Sequence, residues 1–493
     1  MKTAILHIAL VVPALADSAT LHSWNVLDYD WKAMGITRNE AINTNVFIPS
    51  NNALAGVKST GGVTFVTVPR WKSGVPSTLN KVVIDSASGE TVLQPYPNAW
   101  FNNLSNPDGI KYVQSMEIDS QGRMWIIDVG RSFTEGPLSG PAKVVVWNIA
   151  LNREVERFVL PDDVVDPSSN FLNDIVVDEA RMFAYISDAN RGLIITVDMV
   201  NKRASAFEDA STKNEPSVNF VIEGLDYEFI TPSDGIALTP DAHWVYYCAL
   251  QGLTLYRIPS EVLRAWPLDL EAAAGAVEVV GTKSSQADGM TFAATGVLYS
   301  GGITDPDNNV WSYDTNSGAG FKQTALTAAG GDWWADTFAF DGFGNLLYTT
   351  NHLNLFFAGT MNFVDPSEPN FCVKYVYVGS NSYVGSSLAP TPAPSASAEP
   401  TAEPTRPQPT AAADHNNDPH SGGAPIQEII FAVAGSAVFV ALLTACYFRM
   451  KKQKYYPEGK LHDTGSPLFD ADADADTAYA PLPHPPPKLD EFS

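Results

Sequence analysis

The stretch Asp234 to Pro259, DGIALTPDAHWVYYCALQGLTLYRIP, decides the architecture. It reads as three short strands. Ile236-Ala237-Leu238 is apolar and is closed by the turn pair Pro240-Asp241. Trp244 to Leu250 is rich in β-branched and aromatic residues, and Gln251-Gly252 turns it into Leu253 to Ile258. Strand, turn, strand, turn, strand is an antiparallel meander.

The same grammar recurs five more times, at 61–83, 116–149, 173–198, 287–314 and 335–356. Phe65, Trp125, Tyr185, Tyr246, Leu298 and Leu347 mark the second strand of each unit. A meander cannot bury both faces alone, whereas a radial ring lets each unit pack on its neighbours. The expectation is an all-β, six-bladed β-propeller over 17–386. Two stacked sandwiches would not explain one period through the whole region. The stretches 86–111, 199–232 and 259–286 read as excursions between blades.

The flanks have other compositions. Residues 1–16 form a signal peptide, with Lys2, an apolar run and the small-x-small pattern Ala14-Leu15-Ala16. Residues 387–428 are a Pro/Ser/Thr/Ala-rich stalk that cannot form a core. Residues 429–448 are uncharged and apolar, and about 30 Å of helix would span the hydrocarbon layer. Arg449, Lys451, Lys452 and Lys454 follow, which places the C-terminus in the cytosol. The tail 449–493 reads as disordered, and Pro483 to Lys488 fits a PxxPxK pattern for an SH3-type partner. The expected setting is a plasma or other secretory-pathway membrane, crossed once, with the propeller extracellular or luminal.

Net charge is −25 over 493 residues, and most of the surplus lies in 17–386. An acidic body repels phosphate backbones, which argues against a nucleic-acid partner. Cys248 and Cys372 are the candidate pair for a luminal disulfide, with two separate buried thiols as the alternative. Asn103-Leu104-Ser105 is a glycosylation acceptor.

Innermost strands of a propeller start around a central channel. Here those starts carry Glu117, Asp174, Asp234, Asp288 and Asp336. Five converging carboxylates call for a cation, protonation or backbone donors. Ca²⁺ would suit them, as would an organic amine beside Trp333, Trp334 or Tyr348. The plainer reading makes these aspartates turn residues. His243 and His352 stand beside aromatic or apolar residues, and no Ser/His/Asp, HExxH or phosphate-loop pattern is present.

Several segments resemble the Yellow / major royal jelly protein family. They are FIPSNNALAGV (47–57), VTFVTVPRWKSGVPSTLNKV (63–82), EIDSQGRMWIIDVG (117–130), FLNDIVVDE with AYISDANRGLIITVD (171–198), DGIALTPD with TLYRIPSEVL (234–263) and WADTFAFDGFGNLLYTTNHLNLF (334–356). The resemblance implies a six-bladed propeller. It implies a ligand pocket at a channel mouth, with biogenic amines among the family's ligands and Trp334, Asp336 and Asn351 in the matching region. Dopachrome-type tautomerisation is a second function it implies, and a Ca-dependent lactonase-like hydrolase or an adhesion receptor are further alternatives. The stalk, span and tail depart from the family pattern and point to a surface-displayed protein.

Overall fold

The computed structural model describes residues 18–385, except 133–135, 216–219, 223, 228 and 328–332. The signal peptide, stalk, span and tail expected above lie outside the described residues. No described helix is long and apolar enough to cross a membrane.

Six four-stranded antiparallel sheets form the blades. From the innermost strand outward, blade I is Val57–Thr60, Val63–Thr67, Leu79–Ile84 and Thr91–Pro95. Blade II is Val113–Ile118, Arg123–Asp128, Lys143–Asn148 and Arg153–Val159. Blade III is Leu172–Asp178, Phe183–Asp188, Leu193–Asp198 and Arg203–Phe207. Blade IV is Ser233–Leu238, Trp244–Ala249, Thr254–Pro259 and Glu278–Thr282. Blade V is Met290–Phe292, Val297–Gly301, Val310–Asp314 and Thr324–Ala325.

Blade VI closes the ring. Its inner strands are Ala335–Phe340, Asn345–Asn351 and Phe371–Tyr377, and its outermost strand is Ala19–Trp24, from the other end of the chain. Ala19 pairs with Tyr375 and Trp24 with Phe371.

Three of the units read as excursions hold the missing fourth strands. Thr91–Pro95 lies in 86–111, Arg203–Phe207 in 199–232 and Glu278–Thr282 in 259–286. These outer strands are short and partly exposed, so they lack the apolar run that betrays their inner neighbours. Inner strands are the reverse: Leu172–Asp178, Ser233–Leu238 and Ala335–Phe340 are buried at every residue. Packed on both faces, they read as continuous rather than alternating.

The aspartates at the first hairpins of several blades are structural. Asp119 accepts the N–H groups of Gln121 and Arg123, the Arg123 Nε (2.6 Å) and the indole of Trp125 (2.9 Å). That one carboxylate closes the first hairpin of blade II and anchors its central tryptophan. Asp178, Asp241 and Asp341 close the matching hairpins of blades III, IV and VI.

The PRWKSGVPSTL motif has a hub of its own. Buried Arg70 donates to the carbonyls of Val75, Asn102 and Lys111. Gly74, at φ +79°, brings the chain against Ile48; a Cβ there would meet Ile48 Cγ1 at 2.5 Å. The motif therefore pins the entry loop beneath blade I.

Blades are also tied to one another along the axis. Thr67 Oγ1 donates to Gln114 O (2.7 Å), Thr349 Oγ1 to Ala55 O (2.6 Å), and Gly289 N to Asp336 O (2.7 Å). These bonds fix the spacing of the innermost strands and hence of the side chains they aim inward.

Candidate functional site: an acidic floor under an aromatic wall

The register places one residue from each blade at the same height around the channel. Val113, Leu172, Ser233 and Ala335 each pair with the second strand just before a bulge. The next residues are Gln114, Asn173, Asp234 and Asp336. Asp288 stands before Gly289 as Asp234 stands before Gly235, and blade I contributes Ala55. Five of these six side chains, all but that of Ala55, line one cavity of about 390 Å³.

The five predicted carboxylates are therefore not equivalent. Asp234, Asp288 and Asp336 form the floor of the cavity. Asp174 sits one residue farther along its strand and is held by Ser115 Oγ (2.8 Å) and its neighbour's N–H. Glu117 sits three residues beyond Gln114, in a separate small cavity of about 50 Å³ at the other end of the channel. The strands of Glu117, Asp174, Asp234 and Asp336 carry the same bulge, so the offset comes from where each carboxylate stands along its strand, which an alignment by composition does not show.

That far end is occupied by the chain itself. Lys58 Nζ binds Glu117 Oε2 (3.2 Å) and Phe338 O (3.0 Å). Tyr383 donates its hydroxyl proton to Glu117 (3.3 Å) and accepts the N–H of Val177 (2.9 Å). Ser382 bridges to Ala293, so the end of the described chain lies across this mouth.

The open mouth is aromatic. Trp71, Tyr227, Phe229, Trp334 and Phe357 line the cavity. Trp334 and Tyr227 meet edge to face at 5.4 Å, as do Trp71 and Phe357. Trp334 is the residue the sequence singled out, and its backbone is in the left-handed region at φ +46°. For a bulky residue that conformation is strained. Its indole N–H donates to Asp288 Oδ2 at 2.7 Å, which fixes the ring above the floor.

Asn351 supports the site from behind. Its amide donates to Asp336 Oδ2 (2.9 Å) and to Leu54 O (2.8 Å). Asn173 donates to Asp234 Oδ1 at 2.6 Å. The other proposed wall residues lie elsewhere: Tyr348 is buried within blade VI, and the Trp333 indole points to Glu368. His243 is exposed beside Trp244, and His352 precedes the helix Leu353–Ala358. Gln114, Asn173, Trp71, Tyr227, Phe229 and Phe357 were not legible as site residues. Their only signal is position: two lie in a bulge, three sit in loops and Phe357 is on the helix Leu353–Ala358.

Charge is the distinctive property of the floor. Burial raises the Asp234 carboxyl to about 8, with Cys248, Asp336 and Asp174 adding to the rise. Burial likewise holds Asp288 and Asp336 well above the carboxylate range, helped by Asp234 on the first and by Asp288 on the second. The Asp234 and Asp288 carboxyls lie within hydrogen-bonding reach of each other. Among the described residues none of the three is in an ion pair. Lys72, at the rim, is held by Phe356 O at 2.8 Å, and burial lowers its pKa.

A hard cation fits this arrangement poorly. Among the described residues no three or more His, Cys, Asp or Glu side chains are grouped as metal ligands. Ca²⁺ needs several ionised or carbonyl oxygens turned to one point. Here the carboxyls are turned to an indole, two amides and each other. The candidate disulfide is likewise absent: Cys248 lies in blade IV and Cys372 in blade VI, each a buried thiol. Asn103 is exposed, as a glycosylation acceptor must be.

Residues 112–330 match the family model described as Major royal jelly protein. That segment is similar to the Yellow / major royal jelly protein family. The chain is 28% identical over 248 residues to major royal jelly protein 5 of Apis mellifera, covering 48% of this chain and 40% of that one. It is 30% identical over 280 residues to protein yellow of Drosophila guanche, covering 53% and 48%. The matches thus span less than half the length of these relatives. Among solved structures, the calcium-binding protein regucalcin of Agrobacterium tumefaciens aligns at TM-score 0.40 and 16% identity, over 67% of this chain and 91% of that one. A luciferin-regenerating enzyme aligns at 0.41 and 12%, over 76% and 98%. Neither score bears on function.

The floor carries a pH signature. A carboxyl whose folded pKa is raised keeps its proton in the native state after the unfolded chain has lost it. Folding is then favoured at low pH, and that advantage is lost as pH rises from about 4 to about 8. The thermal midpoint should fall across this interval. Asp234→Asn should flatten the fall and raise the midpoint at pH 8 by several degrees, measured by scanning calorimetry. An unchanged slope in the variant would show that Asp234 is not held protonated.

Proposed function

We propose that the cavity binds a small organic cation with an aromatic body, an arylalkylamine in the simplest case. The observation that carries this reading is the juxtaposition of three buried carboxyls, without a counter-ion among the described residues, and a wall of aromatic rings. An ammonium group entering the floor supplies the missing charge. The rings offer apolar contact and their negative faces to the ligand. A volume of about 390 Å³ suits one such molecule. The family resemblance, which implies amine binding in the channel, favours the same reading.

Binding is then coupled to proton release. In the empty site the Asp234 carboxyl is protonated below about pH 8. An ammonium favours the ionised form, so the ligand displaces a proton. Trp334 and Asn351 hold the carboxyls of Asp288 and Asp336 in place, so the floor is preorganised for the cation.

One observation favours a second reading. Asp234 and Asp288 lie against each other, and paired carboxyls with separated pKa values are an arrangement used to move protons between neighbouring ligand atoms. Tautomerisation of a dopachrome-like substrate would use the pair in that way above about pH 8, where Asp234 is ionised and can take a proton while Asp288 gives one.

We propose further that the propeller is displayed on the non-cytosolic side of a membrane, anchored through 429–448 and glycosylated at Asn103, with Pro483–Lys488 available to an SH3-type domain. The apolar run followed at once by four basic residues supports this topology.

Calorimetry with tryptamine, serotonin and dopamine tests the first reading. Affinity should rise about tenfold per pH unit between about pH 6 and 8 and level off above, with proton release seen as a buffer-dependent heat. Asp288→Asn should weaken binding by tenfold or more. No heat with any amine at pH 8 would sink the reading, and turnover of dopachrome without amine binding would favour the second. For the anchor, alkaline extraction of expressing cells should leave the full chain in the membrane and release a chain lacking 429–448. Release of both would refute it.

A further inference from the structure

A second reactive pair lies behind the floor, and the reading above does not use it. Cys248 is on the second strand of blade IV and is wholly buried. Lys283 directly follows the outermost strand of the same blade and is 4% exposed. Its backbone N–H binds Leu253 O at 2.7 Å, which turns the side chain inward past the third strand. Lys283 Nζ then donates to Cys248 Sγ at 2.9 Å. Among the described residues no carboxylate lies within ion-pair reach of this ammonium. A buried lysine without a carboxylate is rare, because the ammonium is costly to remove from water. Every other described lysine that is fully buried has a carboxylate or backbone carbonyls on its Nζ: Lys58 has Glu117, Lys143 has Asp128, and Lys111 has the Leu104 and Asn106 carbonyls. Lys283 has a sulfur.

Two nucleophiles held in contact and shielded from water react as one unit once an oxidant reaches them. Dioxygen is small and apolar enough to enter a packed blade. We propose that Cys248 and Lys283 form an oxygen-bridged covalent cross-link, Sγ–O–Nζ, when the protein meets dioxygen. The balance closes with one molecule of oxygen per pair. The thiol and the neutral amine are each oxidised by two electrons, and the four electrons reduce O₂. One oxygen atom becomes the bridge. The other leaves as water with the thiol proton and one amine proton. If the amine begins as the ammonium, its extra proton goes to solvent. The 2.9 Å separation is one that a single bridging atom fills with little backbone movement.

The location gives the bond a consequence. The Cβ that Gly235 lacks would lie 3.4 Å from the Cys248 sulfur, so the thiol packs against the strand that carries Asp234. Lys283 stands five residues before Asp288 on the segment that delivers it to the floor. A cross-link therefore ties the supports of two floor residues together. This inference stands whether or not the cavity binds amines.

Peptide mass spectrometry on the full-length chain tests it. The protein is purified without reductant, held in air-saturated buffer and digested under non-reducing conditions. The peptides bearing Cys248 and Lys283 should appear joined, heavier than their sum by about 14 Da (one oxygen gained, two hydrogens lost), and should separate on treatment with dithiothreitol. Two separate peptides, with Cys248 open to alkylation after unfolding, would overturn the proposal. So would a direct S–N link, lighter by about 2 Da, or oxidation confined to the cysteine. In Lys283→Arg, Cys248 should stay alkylatable after the same exposure. If that variant does not fold, the wild-type masses alone decide.

Discussion

Everything in this molecule depends on the pairing of Ala19–Trp24 with Phe371–Tyr377. A propeller blade has an inner strand with no solvent face, so it is stable only when both neighbours are present. By lending its first strand to its last blade, the chain leaves no blade at the end of a row. Closure also sets the geometry of the axis. The innermost strands are brought close enough for Thr67, Thr349 and Gly289 to reach the backbone of the next blade. At that spacing, whatever polar side chains the strands carry inward must find partners in one another. The acidic floor follows from that constraint.

The two ends of the channel resolve the same problem differently. At one end Glu117 has Lys58, the hydroxyl of Tyr383 and its neighbour's N–H, and the mouth is closed by the chain. At the other, Asp234, Asp288 and Asp336 have amides, an indole and each other, and the mouth opens between aromatic rings. Burial raises the Glu117 carboxyl as well, but there the Lys58 ammonium offsets part of the rise, which no cation does for Asp234, Asp288 or Asp336 among the described residues. Both carboxyl groups are buried, and the difference lies in their partners. The empty end is thus prepared for a positive charge, and the filled end already has one. Trp334 holds a strained backbone conformation to place its indole over Asp288, the kind of local strain that collects where a site is held in readiness.

Much of this was legible in the chain. The ring of six came from inner strands whose apolar runs are continuous, and from aspartates such as Asp119 that close the hairpins and recur with the period. The second-strand markers from Phe65 to Leu347 all fall on second strands. The outer strands escaped notice because solvent on one side removes the demand for apolar residues, as in Glu278–Thr282. Asp234, Asp288 and Asp336 were found because Asp at a strand start is conspicuous. Glu117 and Asp174 stand at other positions along equally bulged strands, a register that composition does not show. Tyr227 and Phe229 stand in one connection and Phe357 in another far along the chain, and nothing local marks them as neighbours.

The central claim is that the floor is protonated when empty and ionised when it holds a cation. Infrared difference spectroscopy of the carboxyl stretch reads this directly. At pH 6.5, saturating tryptamine should remove a protonated-carboxyl band and add a carboxylate band. Asp234→Asn should abolish most of that change. A protonated band that persists unchanged under saturating, calorimetrically verified amine would contradict the account.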